Sequence, residues 1–100
     1  MAAKTIPEEV RQRAIDELTH LAQQHGRQIA VRHRGRFLYV DRDEAGRVGP
    51  LCRLEYRGSS QEWGFAIYKY STGAYADDEF FFPTSGSLSK LLEVALAAYP

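Results

Sequence analysis

Cysteine is nearly missing from this chain: Cys52 stands alone among 100 residues, so no internal disulfide can form and nothing implies an oxidising compartment. Long apolar runs are missing too. The stretch from Met1 to Glu9 holds nothing that would serve as a signal peptide, and no segment approaches the roughly 20 apolar residues of a membrane span. The expectation is a cytoplasmic protein with no membrane partner. Net charge is zero, which removes the long-range attraction that draws a strongly basic domain to a polyanion. No P-loop, serine elbow, dinucleotide glycine pattern or paired-cysteine zinc motif is present, so no cofactor and no metal is expected.

The reactive side chains do not assemble into a catalytic set. Cys52 falls mid-strand on an apolar face, where a thiol is a small unreactive hydrophobe. His20 and His25 stand five apart on or near a helix, too far round it for an i, i+4 metal pair, and His33 flanks a turn as a solvated side chain. Asp77, Asp78 and Glu79 are consecutive without calcium-loop spacing and read as a solvated turn. The expectation is therefore a non-enzymatic protein.

What is present fits one globular domain over 1–100: 44% hydrophobic and 26% charged residues are ordinary globular values. Charge is unevenly placed. Residues 27–57 carry a net +4 and residues 58–100 a net −3. All eight positive residues of that middle part are arginines (27, 32, 34, 36, 42, 47, 53 and 57), the side chain suited to phosphates, carboxylates and aromatic faces.

Residues 5–25 read as an amphipathic helix with Val10, Ala14, Leu18, Leu21 and Ala22 on one stripe. Thr5 and Glu8 have capping-box spacing, and Gly26 is placed to end the helix in a left-handed conformation. A hairpin follows. With Arg34-Gly35 as its loop, Val31 faces Leu38 and Ile29 faces Val40, which puts four apolar residues on one side. Residues 41–50 read as a polar loop. A strand over 51–57, a turn at 58–61 and a strand over 63–70 pair Tyr56 with Trp63, Leu54 with Phe65 and Cys52 with Ile67. After a turn at 71–74, residues 79–82 read as a short last strand before Pro83. From Ser87, as the cap, Leu88, Leu91, Leu92, Ala95 and Tyr99 form the apolar stripe of a second helix.

The order predicts an α+β fold, an antiparallel meander of four or five strands with the terminal helices on one face. The core-facing set is Ile29, Val31, Leu38, Val40, Leu54, Trp63 and Phe65. The opposite face is left to Arg32, Phe37, Tyr39, Arg53, Glu55, Tyr68 and Tyr70. Gly64, Phe65, Ala66 and Tyr70 partly match an RNA-recognition strand. However, Trp63 takes the basic position, Ile67 replaces a stacking ring, and Phe65 faces the core, so the match is read as chance.

Tyr56, the Trp63–Tyr70 strand, the Gly86-Ser87 helix entry and the closing Tyr99 together resemble small bacterial domains of unknown function. The resemblance covers the C-terminal half and implies neither an activity nor site residues.

The uncovered face is too aromatic to be idle. Its candidate binding residues are Arg32, Arg34, Arg36, Tyr39, Arg53, Tyr68 and Tyr70. They fit a protein partner or a second copy of the chain, arginine and aromatic residues being enriched at interface hot spots. The alternative is single-stranded RNA or DNA, with arginines on phosphates and tyrosines stacked on bases. A third reading is a ligand pocket between sheet and helices.

Overall fold

Pro7 sets where the first helix begins. In the computed structural model, which describes residues 5–76 and 82–100, α1 spans Glu8–Gln24 with Pro7 as its N-cap and no side-chain cap bond. The capping box expected of Thr5 and Glu8 does not form. A residue before proline is kept out of the helical region, so Ile6 cannot open the helix and is buried in the core instead. The other end follows expectation. Gly26 takes φ +68°, its amide donates to the Gln23 carbonyl at 3.0 Å, and the Arg27 amide donates to that of Ala22 at 2.8 Å, the paired bonds of a left-handed helix ending.

Strands β1 (Ile29–Arg34), β2 (Phe37–Glu44), β3 (Arg47–Tyr56), β4 (Trp63–Lys69) and β5 (Ala74–Ala76) form an antiparallel meander in chain order, and β6 (Ser85–Gly86) pairs with β4. Helix α2 (Leu88–Ala98) closes the described chain, capped by the Ser87 hydroxyl, which accepts from the Lys90 amide. This is the α+β order read from the sequence.

Two local expectations about the strands are corrected. The first loop is Gly35-Arg36, not Arg34-Gly35, because Gly35 carries φ +59° and a two-residue loop with glycine first needs that residue in the left-handed half of the map. Val31 therefore pairs with Val40 and Arg32 with Tyr39. The slip changes the pairing by two residues, so Ile29, Val31, Leu38 and Val40 still share a face.

Residues 41–50 are not a loop. They continue β2 and β3 through a tight turn at Ala45-Gly46, where Gly46 supplies φ +76°. The register shifts between Val40, opposite Cys52, and Asp41, opposite Pro50, which leaves Leu51 as an extra residue. Leu51 and Cys52 are both buried. The irregularity accommodates Pro50, which has no amide to give a ladder.

Residues 79–81 of the expected 79–82 strand lie outside the described residues, and Phe82 is in a bend. Among the described residues, β4 pairs with β5, opposite Ile67–Lys69, and with β6, opposite Trp63 and Gly64.

The β3–β4 register is the expected one, Tyr56 with Trp63, Leu54 with Phe65 and Cys52 with Ile67. Leu38, Val40, Leu54, Trp63 and Phe65 form one buried cluster with Ala14, Leu18 and Ala22 of α1 and Leu91, Leu92 and Ala95 of α2, and Ile29 and Val31 pack at its margin. Trp63 is fully buried, and its indole N–H donates to the Ser60 carbonyl at 3.2 Å, so the largest core side chain leaves no donor unmatched. Both helices lie on this side of the sheet.

Candidate interaction face

Strand alternation sends Phe37, Tyr39 and Asp41 of β2, Arg53 and Glu55 of β3, and Gly64, Ala66 and Tyr68 of β4 to the side away from the helices. Tyr75 of β5 lies directly opposite Tyr68 and joins them. The rings form a continuous chain, with centroid separations of 6.2 Å from Phe37 to Tyr39, 5.5 Å from Tyr39 to Tyr75 and 5.1 Å from Tyr75 to Tyr68.

Tyr70 sits past the end of β4, 4.9 Å from Tyr68 and 5.5 Å from Tyr99 of the α2 C-terminus. Its hydroxyl donates to the Pro50 carbonyl at 2.8 Å. The Tyr99 hydroxyl donates to the Tyr68 carbonyl. Tyr70 thus links the outer rings to the end of α2, and the residue is 57% exposed.

Arginines lie on these rings. The Arg53 guanidinium is 4.8 Å from the Phe37 ring centre and 5.4 Å from that of Tyr75, Arg36 is 5.3 Å from Phe37, and Arg32 is 5.3 Å from Tyr39. These are cation–π distances. Arg32 also grips Asp41 in a two-point pair at 2.7 and 3.3 Å. Glu55 accepts from Nε of Arg36 at 2.7 Å and from Nε of Arg57 at 2.9 Å. Partial burial works against the charge of Glu55, but the bonds from Arg57 and Arg36 prevail and hold its carboxyl below the ordinary range. Burial, with Asp41 close by, raises the Tyr75 hydroxyl above its ordinary value, so the ring stays neutral at physiological pH. Arg34 and Arg53 make no ion pair among the described residues.

The structure sorts the eight arginines. Arg32, Arg36 and Arg53 gather on the outer face with Tyr39 and Tyr68, Arg57 lies beside them, and Arg34 stands exposed at the end of β1. Arg27, Arg42 and Arg47 belong elsewhere, around the carbonyls that end α2. Tyr75, Asp41 and Arg57 are residues of this face that sequence reasoning missed, and for Tyr75 a signal was present. The alternation Ala74-Tyr75-Ala76 directly after Gly73 was the signal, since closing the turn there sets Tyr75 against Tyr68.

A cavity of about 470 Å³ lies between α1 and the start of α2, lined by Val10, Arg13, Glu17, Gln61, Trp63 and Ser89 among others. Its walls hold no histidine, cysteine or aspartate. Cys52 is fully buried, and that burial pushes its thiol far above the ordinary range. Among the described residues no group of three histidine, cysteine or acidic side chains is arranged to hold a metal, and no helix is long and apolar enough to cross a membrane. No family model, curated protein or solved structure matches the chain.

Proposed function

We propose that this protein is a non-enzymatic interaction module whose outer sheet face takes an acidic partner protein. The observation that carries the reading is the make-up of that face. Five arginines (32, 34, 36, 53 and 57) stand there among Phe37, Tyr39, Tyr68 and Tyr75, against two described carboxylates, Asp41 and Glu55. Arginine and tyrosine are the residue types that dominate interface energetics, and an excess of positive charge favours a partner of opposite sign. The same excess disfavours two copies packed face to face. Base stacking is less well served, because guanidinium groups and neighbouring ring edges already cover much of the aromatic surface.

The test is a titration of the isotope-labelled chain, followed by NMR, with a short glutamate-rich peptide and separately with single-stranded poly-uridine at matched ionic strength. The expected result is saturable peptide binding with shifts centred on β2, β3 and β4 outer-face residues, abolished in Arg53→Ala and weakened in Tyr39→Ser. Tighter binding of poly-uridine at the same residues would transfer the face to the nucleic-acid reading. No response of the face to either probe, or a stable dimer in sedimentation that buries it, would refute the proposal.

A further inference from the structure

Within the outer face one place is concave. A trough of about 290 Å³ runs over β3 and β4, lined by Arg36, Phe37, Arg53, Glu55, Arg57, Gly64 and Ala66, with Phe65 below. Its volume is at the lower end of the range for small-ligand sites. The floor is flat because its two outward residues are the smallest available. Gly64 is opposite Glu55, and Ala66 is opposite Arg53. The absence of a side chain at Gly64 is used: a Cβ there would lie 2.6 Å from Nη2 and 2.7 Å from Cζ of Arg57, so the Arg57 guanidinium rests directly on the glycine backbone.

The electrostatics of the trough are unbalanced. Among the described residues, three guanidinium groups meet one carboxylate. Glu55 binds Arg36 and Arg57 through their Nε atoms, which orients both groups without using their terminal Nη donors. Arg53 is held by the rings of Phe37 and Tyr75 and makes no ion pair among the described residues. Among the described residues two positive charges are left over, together with several N–H donors already fixed in place by a carboxylate and two rings. A single carboxylate from a ligand would neutralise half of that excess. A phosphate monoester carries about −1.5 to −2 at neutral pH and three acceptor oxygens, and arginine clusters recognise it through paired bonds. The half-buried Phe37 ring gives the group that bears the phosphate an apolar surface to lie on.

We infer that the trough is a binding site for a phosphate monoester on a side chain of the partner protein, held by Arg36, Arg53 and Arg57 above Gly64 and Ala66. This rests on the reading of the outer face as a protein contact.

The test titrates the full chain with N-acetyl-O-phosphotyrosine amide and N-acetyl-O-phosphoserine amide, and with N-acetylglutamate amide and inorganic phosphate as controls, following the Nε–H signals of Arg36, Arg53 and Arg57 and the Gly64 amide. At least one phosphoamino acid should shift these signals saturably and bind about tenfold or more tightly than either control. Arg53→Gln and Arg57→Gln should each weaken it about tenfold or more. Gly64→Ala should do the same by displacing Arg57, with the circular dichroism spectrum of every variant unchanged. Binding that survives both Arg53→Gln and Arg57→Gln, the lack of any saturable binding, or equal affinity for inorganic phosphate would overturn the inference. If the phosphoamino acids fail while the glutamate-rich peptide still binds the face, only this inference falls. If both fail, the protein-contact reading falls with it.

Discussion

Arg27 donates through Nη2 to the carbonyl oxygen of Tyr99 at 2.8 Å, across 72 positions of chain. The bond answers a deficit in α2, which has no basic residue in its last turn, although the exposed carbonyls of a helix C-terminus carry partial negative charge. The sheet supplies the missing cations. Arg27 also reaches the Leu96 carbonyl, Arg42 donates to that of Tyr99 and Arg47 to that of Pro100. Glu44 holds the group together, accepting from Arg27 at 3.0 and 3.1 Å and lying 3.5 Å from Nε of Arg42.

Arg27→Gln should therefore loosen α2 from the sheet end. A loss of about 1.5–3 kcal/mol is expected, the scale of hydrogen bonds from a charged donor, read as a lower denaturant midpoint with an unchanged slope. Hydrogen exchange should quicken first in the last turn of α2.

Leu54→Ala removes a fully buried side chain from the centre of the sheet, directly opposite Leu38 and Phe65. The expected loss is about 2–5 kcal/mol. An unchanged melting temperature would contradict the placement of the core.

Gly35 occupies a left-handed position at φ +59°. Gly35→Ala should cost about 1–2 kcal/mol, whereas Arg34→Ala at the adjacent strand position should be close to neutral in stability. Thermal melts of the two variants, side by side, test the Gly35-Arg36 loop against a loop one residue earlier.

Stability should fall in acid through two named carboxylates. The bond from Arg27 lowers Glu44 below its ordinary value of 4.5 despite a desolvation penalty. Glu55 is lowered as well, its bonds from Arg57 and Arg36 exceeding the opposing effect of burial. A carboxylate with a depressed folded-state value binds fewer protons folded than unfolded. Its contribution is thus complete well above pH 4.5 and is lost as pH falls below 4.5 through the folded value. Denaturant unfolding measured from neutral pH downward should show this decline, and the double variant Glu44→Gln, Glu55→Gln should flatten it while being less stable at pH 7.

Cys52 should not react in the folded protein. It is fully buried, and burial opposes the thiolate that attacks reagents. Labelling by an aromatic disulfide reagent should be slow in buffer, rapid in denaturant, and limited by opening of the structure.

Periodicity was enough to find the layers of this protein. The alternation of Leu54 and Tyr56 with Arg53 and Glu55, and the helical spacing of Ala14, Leu18, Leu91 and Ala95, record which side of each element is buried, because burial repeats at the period of the backbone itself. The hairpin shows how robust that record is: its loop lies one residue later than expected, yet Val31 and Val40 stay on the core side, since a shift of pairing by two leaves the faces unchanged. The alternation of residues 63–68 likewise marked an outer face, and Arg32, Tyr39, Arg53 and Tyr68 are on it.

Tertiary structure decided what local pattern does not encode. The continuation of β2 and β3 through Asp41–Pro50 depends on an irregularity at Leu51 and a turn at Gly46, which let a charged stretch pair with itself. That pairing carries Arg42 and Glu44 to the end of α2 and leaves Asp41 beside Arg32. The same physics sorted the arginines. Their charge is identical in sequence, but three complete the carbonyl end of a helix formed 40 or more residues later, while Arg36, Arg53 and Arg57 line one trough on the outer face. An arginine's role is set by the acceptor its long side chain reaches, and that acceptor is brought near only when the sheet closes and the helices pack.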